Sequence, residues 1–112
     1  MKRLIFVTAV ILISVYPDSG RAQDMSGNYM FSGCTSRNFA AQGICAGFVR
    51  GFRDAFDIIK ALGGAVPFCP PQQANNGQLT EIFIHYLRSH PEIRHEFAAF
   101  LLVKAFKEKF PC

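Results

Sequence analysis

Four cysteines place the strongest constraint on this chain, because all of them follow residue 33. They are Cys34, Cys45, Cys69 and Cys112. An even cysteine count in a short exported chain is typical of a disulfide framework. The spacings contain no Cys-x-x-Cys pair, which disfavours a structural metal site. We therefore expect two disulfides, each adding about 3–4.5 kcal/mol to stability, with neither a metal nor a cofactor.

The N-terminus has the parts of a secretory signal peptide. Two basic residues precede an apolar run over residues 4–13, and Gly20-Arg21-Ala22 supplies small residues at both cleavage-recognition positions. The alternative, a membrane anchor, needs a longer run, because the hydrocarbon core is about 30 Å thick. We predict that residues 1–22 are cleaved, that the protein is exported without further membrane contact, and that residues 23–112 form one helical domain.

The net charge argues against nucleic acid as a partner. The full chain carries a formal charge of +4 with neutral histidines. Residues 1–22 contain three basic residues and one acidic residue, so the remainder carries +2. Basic runs are absent from that remainder, and nucleic-acid binding is therefore not expected.

Residues 38–62 are predicted to form an amphipathic helix at the centre of the fold. Apolar residues recur on one arc at 100° per residue, with charged residues such as Arg53 and Asp57 on an opposite, solvated face. The arc contains Ile44, Phe48, Phe52, Ala55, Phe56, Ile59 and Leu62. Ser36 is the predicted N-cap, and Cys45 is expected to point into the core. The polar residues before this helix, 23–37, are predicted to form a loop.

Three glycines recur every four residues along the same helix, at Gly43, Gly47 and Gly51. Each costs about 1 kcal/mol relative to alanine inside a helix. Their spacing predicts a neighbouring helix backbone packed closely against them, with a groove for a small ligand as the alternative.

A proline-rich segment over residues 65–77 excludes regular helix. Long loops in small domains are often functional or held by a cross-link, and Cys69 supplies one here. If the loop runs back along the first helix, Cys69 meets Cys45, and Cys112 arrives near Cys34. We favour this pairing among the three connectivities, and the sequence leaves the other two open.

Two capping boxes mark two further helices. Asn75 with Gln78 begins a helix over residues 77–89, and Ser89-His90-Pro91-Glu92 begins another over 91–109. The last helix is apolar on all sides at its middle, so either it is central or its second face meets another chain. The expected fold is an all-α, disulfide-stapled bundle of three to four helices.

Catalytic signatures are not found in the sequence. The histidines His85, His90 and His95 do not share one helix face, and no nucleophile motif or phosphate-binding loop is present. With four oxidised cysteines no thiol nucleophile remains, so an enzyme is not expected.

The combined pattern resembles the Rap/Tai group of type VI secretion immunity proteins, over about residues 34–112. The matching motifs are Cys45-x-Gly47-Phe48-Val49-x-Gly51-x-x-Asp54, Phe68-Cys69-Pro70, Gln78-Leu79, Tyr86-Leu87-x-x-His90-Pro91-Glu92 and Phe110-Pro111-Cys112. The resemblance implies a small periplasmic protein that binds a delivered peptidoglycan amidase. It also implies a homodimer, since in studied relatives a dimer blocks the effector's active-site cleft with an inserted segment.

Two stretches are the expected contact surface for such a cell-wall amidase. They are the loop residues Pro70, Pro71, Gln72, Gln73, Asn75 and Asn76, and a helix face with Ile93, Phe97 and Leu101. The alternative function is a periplasmic chaperone or a small-ligand-binding helical protein. It follows from the many phenylalanines, which either expose apolar surface or enclose a cavity.

Overall fold

A computed structural model describes residues 25–112, and within that range it contains four α-helices and no strand. The helices are α1 (Gly27–Cys34), α2 (Phe39–Ala61), α3 (Asn76–Ser89) and α4 (Ala98–Lys109), with a 3-10 turn at Pro91–Ile93. This confirms the all-α fold class. The predicted signal peptide lies outside the described residues. Within them, no helix has both the length and the apolar character needed to cross a membrane.

Helix α1 corrects the prediction of a loop over residues 23–37. Ser26 caps it by accepting a hydrogen bond from the Tyr29 backbone N–H at 3.2 Å. Eight residues are too few to hold a helix in isolation, so tertiary contacts must stabilise it. Gly27 is buried, and a Cβ there would overlap Leu101 Cδ1 and lie 2.8 Å from the Arg94 carbonyl oxygen. The packing of α1 was therefore not visible in its local sequence.

Helix α2 has the predicted length but differs at its start and in its buried side. Its N-cap is Asn38, and Ser36 instead accepts a hydrogen bond from the Asn38 backbone N–H at 3.0 Å. The fully buried residues are Cys45 and Val49. On the predicted arc, Phe48, Phe52 and Phe56 are half-buried, whereas Ile44, Ala55, Ile59 and Leu62 are exposed. The arc is rotated because α2 packs against α1 and α3 on one side only.

The glycine prediction for α2 is wrong within the described chain. A Cβ atom at Gly43, Gly47 or Gly51 would meet nothing within 4 Å, and all three glycines are exposed. Among residues 25–112, neither a helix backbone nor a groove lies against them.

The predicted third helix is broken in two. Phe97 adopts an extended backbone and forms an antiparallel bridge with Ser26. Around this bridge the Gly27 backbone N–H donates to the Glu96 carbonyl at 2.9 Å, and the Ala98 N–H donates to the Met25 carbonyl at 2.8 Å. The chain before α1 thus takes the backbone groups that a continuous helix would have paired internally. In contrast, the capping box of Asn75 and Gln78 at the start of α3 is confirmed.

The core lies among the four helices, and α3 contacts each of the other three. Leu101, Leu102, Ala105 and Phe106 of α4 are all buried, as are Leu79, Phe83 and Leu87 of α3. One apolar side of α4 is therefore buried against the core, whereas Phe97 and Phe100 leave a second apolar side exposed.

The disulfides join Cys34 to Cys45 and Cys69 to Cys112, which corrects the pairing favoured from the sequence. Because α1 is a helix whose last residue is Cys34, that residue is brought beside Cys45 of the adjacent α2, 11 residues away. Cys69 is then left to meet the C-terminal cysteine. Both cross-links were expected, but their partners depend on a helix that the sequence did not reveal.

Candidate partner-binding site

The proline-rich loop between α2 and α3 is held firmly at its base. The Phe68 ring is buried, with its centroid 4.7 Å from that of Phe56 and 5.4 Å from that of Phe106. The next residue, Cys69, is bonded to Cys112, and its backbone N–H donates to the Phe110 carbonyl at 2.8 Å. This side of the loop is therefore fixed to the end of the chain.

The other side of the loop is fixed to α2. Arg53 donates to the Ala74 carbonyl, and its second Nη donates to the Gln72 carbonyl at 3.5 Å. Asn76 Nδ2 donates to the Ala46 carbonyl at 3.0 Å. The loop therefore runs back along α2, although Cys69 does not meet a cysteine there. The prediction that Arg53 lies on a solvated face is wrong, because its guanidinium donates hydrogen bonds to backbone carbonyls of the loop.

The predicted loop residues divide into an exposed tip and buried supports. Pro71, Gln72 and Gln73 are exposed, and we call residues 71–73 the loop tip. Asn75 is also exposed, whereas Pro70 and Asn76 are partly buried. Within this segment the Ala74 N–H donates to the Pro71 carbonyl at 3.1 Å, which closes the tip into a turn. The result is an exposed turn closed by a backbone hydrogen bond.

The second predicted surface is smaller than expected and includes an extra residue. Phe97 and Phe100 are each 64% exposed, with ring centroids 6.2 Å apart in an edge-to-face arrangement. We call these two residues the phenylalanine pair. Leu101 is fully buried and presents no side chain to a partner, and Ile93 is half-buried. Phe100 is exposed in place of Leu101 because α4 begins only at Ala98. This late start changes the direction in which the following side chains of α4 point.

Charged residues lie next to the phenylalanine pair. Lys104 Nζ is 2.6 Å from Glu96 Oε2. The hydrogen bond from Lys104 to Glu96 raises the pKa of Lys104 above its ordinary value. His95 and Glu96 line a shallow depression together with the two phenylalanine rings. An exposed aromatic patch with a charged border is the usual anatomy of a protein–protein contact.

His90 packs against Tyr86 within the fold. His90 Nδ1 lies 2.8 Å from the Tyr86 carbonyl oxygen, and the two rings stack with centroids 4.1 Å apart. Burial raises the pKa of the Tyr86 phenol. Over residues 25–112, no three His, Cys, Asp or Glu side chains are grouped closely enough to hold a metal ion.

The outer face of α2 is a third exposed apolar surface. Its large residues are Ile44, Ile58 and Leu62, with exposures of 54%, 60% and 82%. Together with the exposed Gly47 and Gly51, these residues leave one side of α2 apolar and unpartnered within residues 25–112. Sequence periodicity had assigned two of them, Ile44 and Leu62, to the core.

Comparison with known proteins gives one match. A family model described as Rap1a immunity proteins matches residues 26–112. Neither the search of curated proteins nor the search of solved structures found a match.

Proposed function

Because the chain belongs to the Rap1a immunity proteins, we propose that it is a non-catalytic, periplasmic inhibitor of a type VI secretion effector. The effector we propose is a peptidoglycan amidase, bound so that its active-site cleft is occluded. Two disulfides within residues 34–112 support an oxidising compartment. The family supports immunity through binding, in which the inhibitor needs shape and contact area and does no chemistry.

The rigid loop tip is the observation that carries the steric mechanism. A segment that enters a cleft loses conformational freedom on binding, and preorganisation reduces that cost. The loop tip is held by the Cys69–Cys112 disulfide on one side and by Arg53 on the other. It exposes residues 71–73 without needing to order them on binding. This is the property expected of an inserted, blocking segment.

The phenylalanine pair is the proposed apolar part of the contact. Aromatic side chains that become buried dominate the energy of many interfaces. Phe97 is positioned by its backbone bridge to Ser26, so it is a fixed contact. Each ring loses much of its present exposure if the effector covers this end of α4.

We also propose that the chain forms a homodimer through the outer face of α2. An antiparallel, two-fold arrangement centred on Gly51 places Ile44 opposite Ile58 of the second copy. The same symmetry places Gly47 opposite Ala55, so small residues meet at the centre and larger ones at the ends. Exposed glycines permit close backbone approach, and a self-complementary patch is what a two-fold interface requires.

The test uses the oxidised chain without residues 1–22 and any peptidoglycan amidase that is encoded beside its gene. We expect a stoichiometric complex by size-exclusion chromatography with light scattering, and loss of peptidoglycan hydrolysis. Absence of both a complex and protection on periplasmic co-expression would refute the proposal.

Two variants, one in the loop tip and one on α3, test whether the loop tip contacts the effector. Changing Gln72 and Gln73 to Lys adds two positive charges at the tip and should weaken the complex. Glu81→Lys makes the same change in net charge on the exposed side of α3 and should not.

The exposed phenylalanines also suit the alternative, a periplasmic chaperone. A chaperone of this kind would bind unfolded client proteins as the pH falls, whereas an immunity protein would not. A light-scattering assay of client aggregation in acid separates the two.

A further inference from the structure

Two arginines converge on one aromatic ring at the junction of α1, α3 and the 3-10 turn. The guanidinium carbon of Arg94 lies 4.3 Å from the centre of the Phe31 ring, and that of Arg88 lies 5.8 Å from it. Both distances are within the range of cation–π attraction. We call Arg88 and Arg94 the arginine pair; Phe31 supplies the ring that both contact.

The charge of this cluster is not neutralised within the described residues. The ion-paired arginines of α2, Arg50 and Arg53, have Asp54 and Asp57 as partners. Among residues 25–112, neither arginine of the cluster has a carboxylate within 4 Å, and Glu96 is engaged by Lys104. Two cations held near one ring repel each other, so an anion beside them would be strongly favoured.

The side-chain donors of both arginines lack acceptors within the described residues. In the described residues, no side-chain hydrogen bond from Arg88 or Arg94 is formed, and Arg94 Nε is buried without an acceptor. Because Arg94 Nε is buried, a partner's carboxylate would meet the Nη groups of Arg94 and the exposed guanidinium of Arg88. Stacking on Phe31 restrains the guanidinium plane, which reduces the entropy lost when a ligand binds.

We propose that Phe31, Arg88 and Arg94 form a carboxylate-binding site that receives an Asp or Glu side chain of the partner protein. The planar fork of arginine matches a carboxylate with two parallel hydrogen bonds. Arginine on an aromatic ring is also the composition of an interface hot spot. Arg94 precedes the exposed Phe97 by three residues, which supplies an apolar contact close along the chain. This identification of the occupant rests on the proposed function.

The first experiment uses calorimetry at low and at physiological salt to measure affinity for any peptidoglycan amidase encoded beside the gene. The double change Arg88→Gln with Arg94→Gln should weaken binding about tenfold or more and flatten its salt dependence. Lysine at both positions retains charge but not the fork, and should restore only part of the affinity. Lys60→Gln with Lys107→Gln makes the same charge change at exposed residues elsewhere and should alter affinity less than about twofold. Unchanged affinity in the glutamine variant, with its melting temperature retained, would overturn the site.

The second experiment does not depend on the amidase. The chain is passed over immobilised poly-L-glutamate and, separately, mixed with phosphatidylglycerol vesicles. The carboxylate site is supported if the chain is retained on poly-L-glutamate and the arginine changes abolish this retention. If, in addition, no amidase binds the chain, only the proposed function is contradicted. Binding to the vesicles but not to poly-L-glutamate would overturn the carboxylate assignment in favour of lipid phosphate. Binding to neither, with amidase affinity unchanged in the glutamine variant, would refute the site altogether.

Discussion

Arg53 reaches 21 residues along the chain to donate a hydrogen bond to the backbone carbonyl of Ala74. Ala74 is buried although it lies in a loop. A charged side chain on the helix therefore performs the task that the sequence had led us to assign to a disulfide, which is to hold the proline-rich loop against α2.

Removing this donor should loosen the loop and lower stability. Arg53→Met keeps the aliphatic stem but leaves the Ala74 carbonyl without its donor, at a cost of about 1.5–3 kcal/mol. Chemical denaturation measures the loss, and hydrogen exchange should increase near residues 72–76. The matched control is Arg50→Met, which removes an exposed ion pair with Asp54 and should cost less than about 1 kcal/mol. Equal effects of the two changes would show that Arg53 does not anchor the loop.

The exposed glycines of α2 should be replaceable with a gain in stability. Gly47→Ala places a methyl group in open space and should raise the free energy of unfolding of the monomer by about 1 kcal/mol. Gly27→Ala should instead destabilise the protein by about 1–3 kcal/mol, because its Cβ would overlap buried atoms of α4. Thermal melting at low protein concentration compares them. A destabilising Gly47→Ala would mean that something packs against this face.

The proposed dimer makes a separate prediction. Ile58→Lys introduces a charge at the outer face of α2 and should shift the chain from dimer to monomer in sedimentation velocity. Phe100→Lys likewise replaces an exposed apolar side chain by a charge, on α4, and should leave the dimer intact. A wild-type chain that is monomeric at high concentration would contradict the arrangement.

The two disulfides should be reduced in a defined order. Cys69 and Cys112 are both exposed, whereas Cys45 is buried beside Cys34. Increasing dithiothreitol should therefore open the exposed bridge first, as read by alkylation and peptide mass spectrometry. In the chain-entropy account, loss of the Cys69–Cys112 loop of 43 residues costs about 4 kcal/mol, and loss of the 11-residue loop about 3 kcal/mol. Earlier reduction of Cys34–Cys45 would contradict the assigned burial.

Stability should fall in alkali for two reasons that act in the same direction. The folded-state pKa of Lys104 is raised by its hydrogen bond to Glu96, and that of Tyr86 is raised by burial. A raised folded-state pKa contributes stability that is present below the unfolded value and is lost as the pH rises through the folded value. The ordinary pKa values are 10.5 for Lys104 and 10.0 for Tyr86, so the loss begins near pH 10.

Melting temperature across about pH 8–11.5 tests this dependence. Tyr86→Phe removes the phenol and should flatten part of the decline, and Glu96→Gln should remove the contribution of Lys104. A melting temperature that stays constant in the wild type as both groups titrate would refute the assignment.

Local signals in the sequence were enough to locate α2 and α3. The capping box of Asn75 and Gln78 and the helical periodicity of residues 38–62 act through contacts within a few residues, so they survive in the folded chain. The resemblance in the cysteine, glycine and proline motifs was likewise sufficient to identify the family from the residue pattern alone. In the proposed binding surface, the exposed loop tip could be anticipated from its prolines and amides.

Long-range pairing decided the rest. The bridge between Ser26 and Phe97 creates α1 and ends the predicted third helix, since backbone groups paired across the chain cannot also be paired within one helix. The position of α1 then selects the partner of Cys45, and the rotation of α4 buries Leu101 and exposes Phe100. The sequence by itself determined where the two middle helices lie and how many cross-links hold the fold. Only the tertiary structure decided which cysteines meet, which arginine anchors the loop and which side chains remain for a partner, because these depend on residues far apart in the chain.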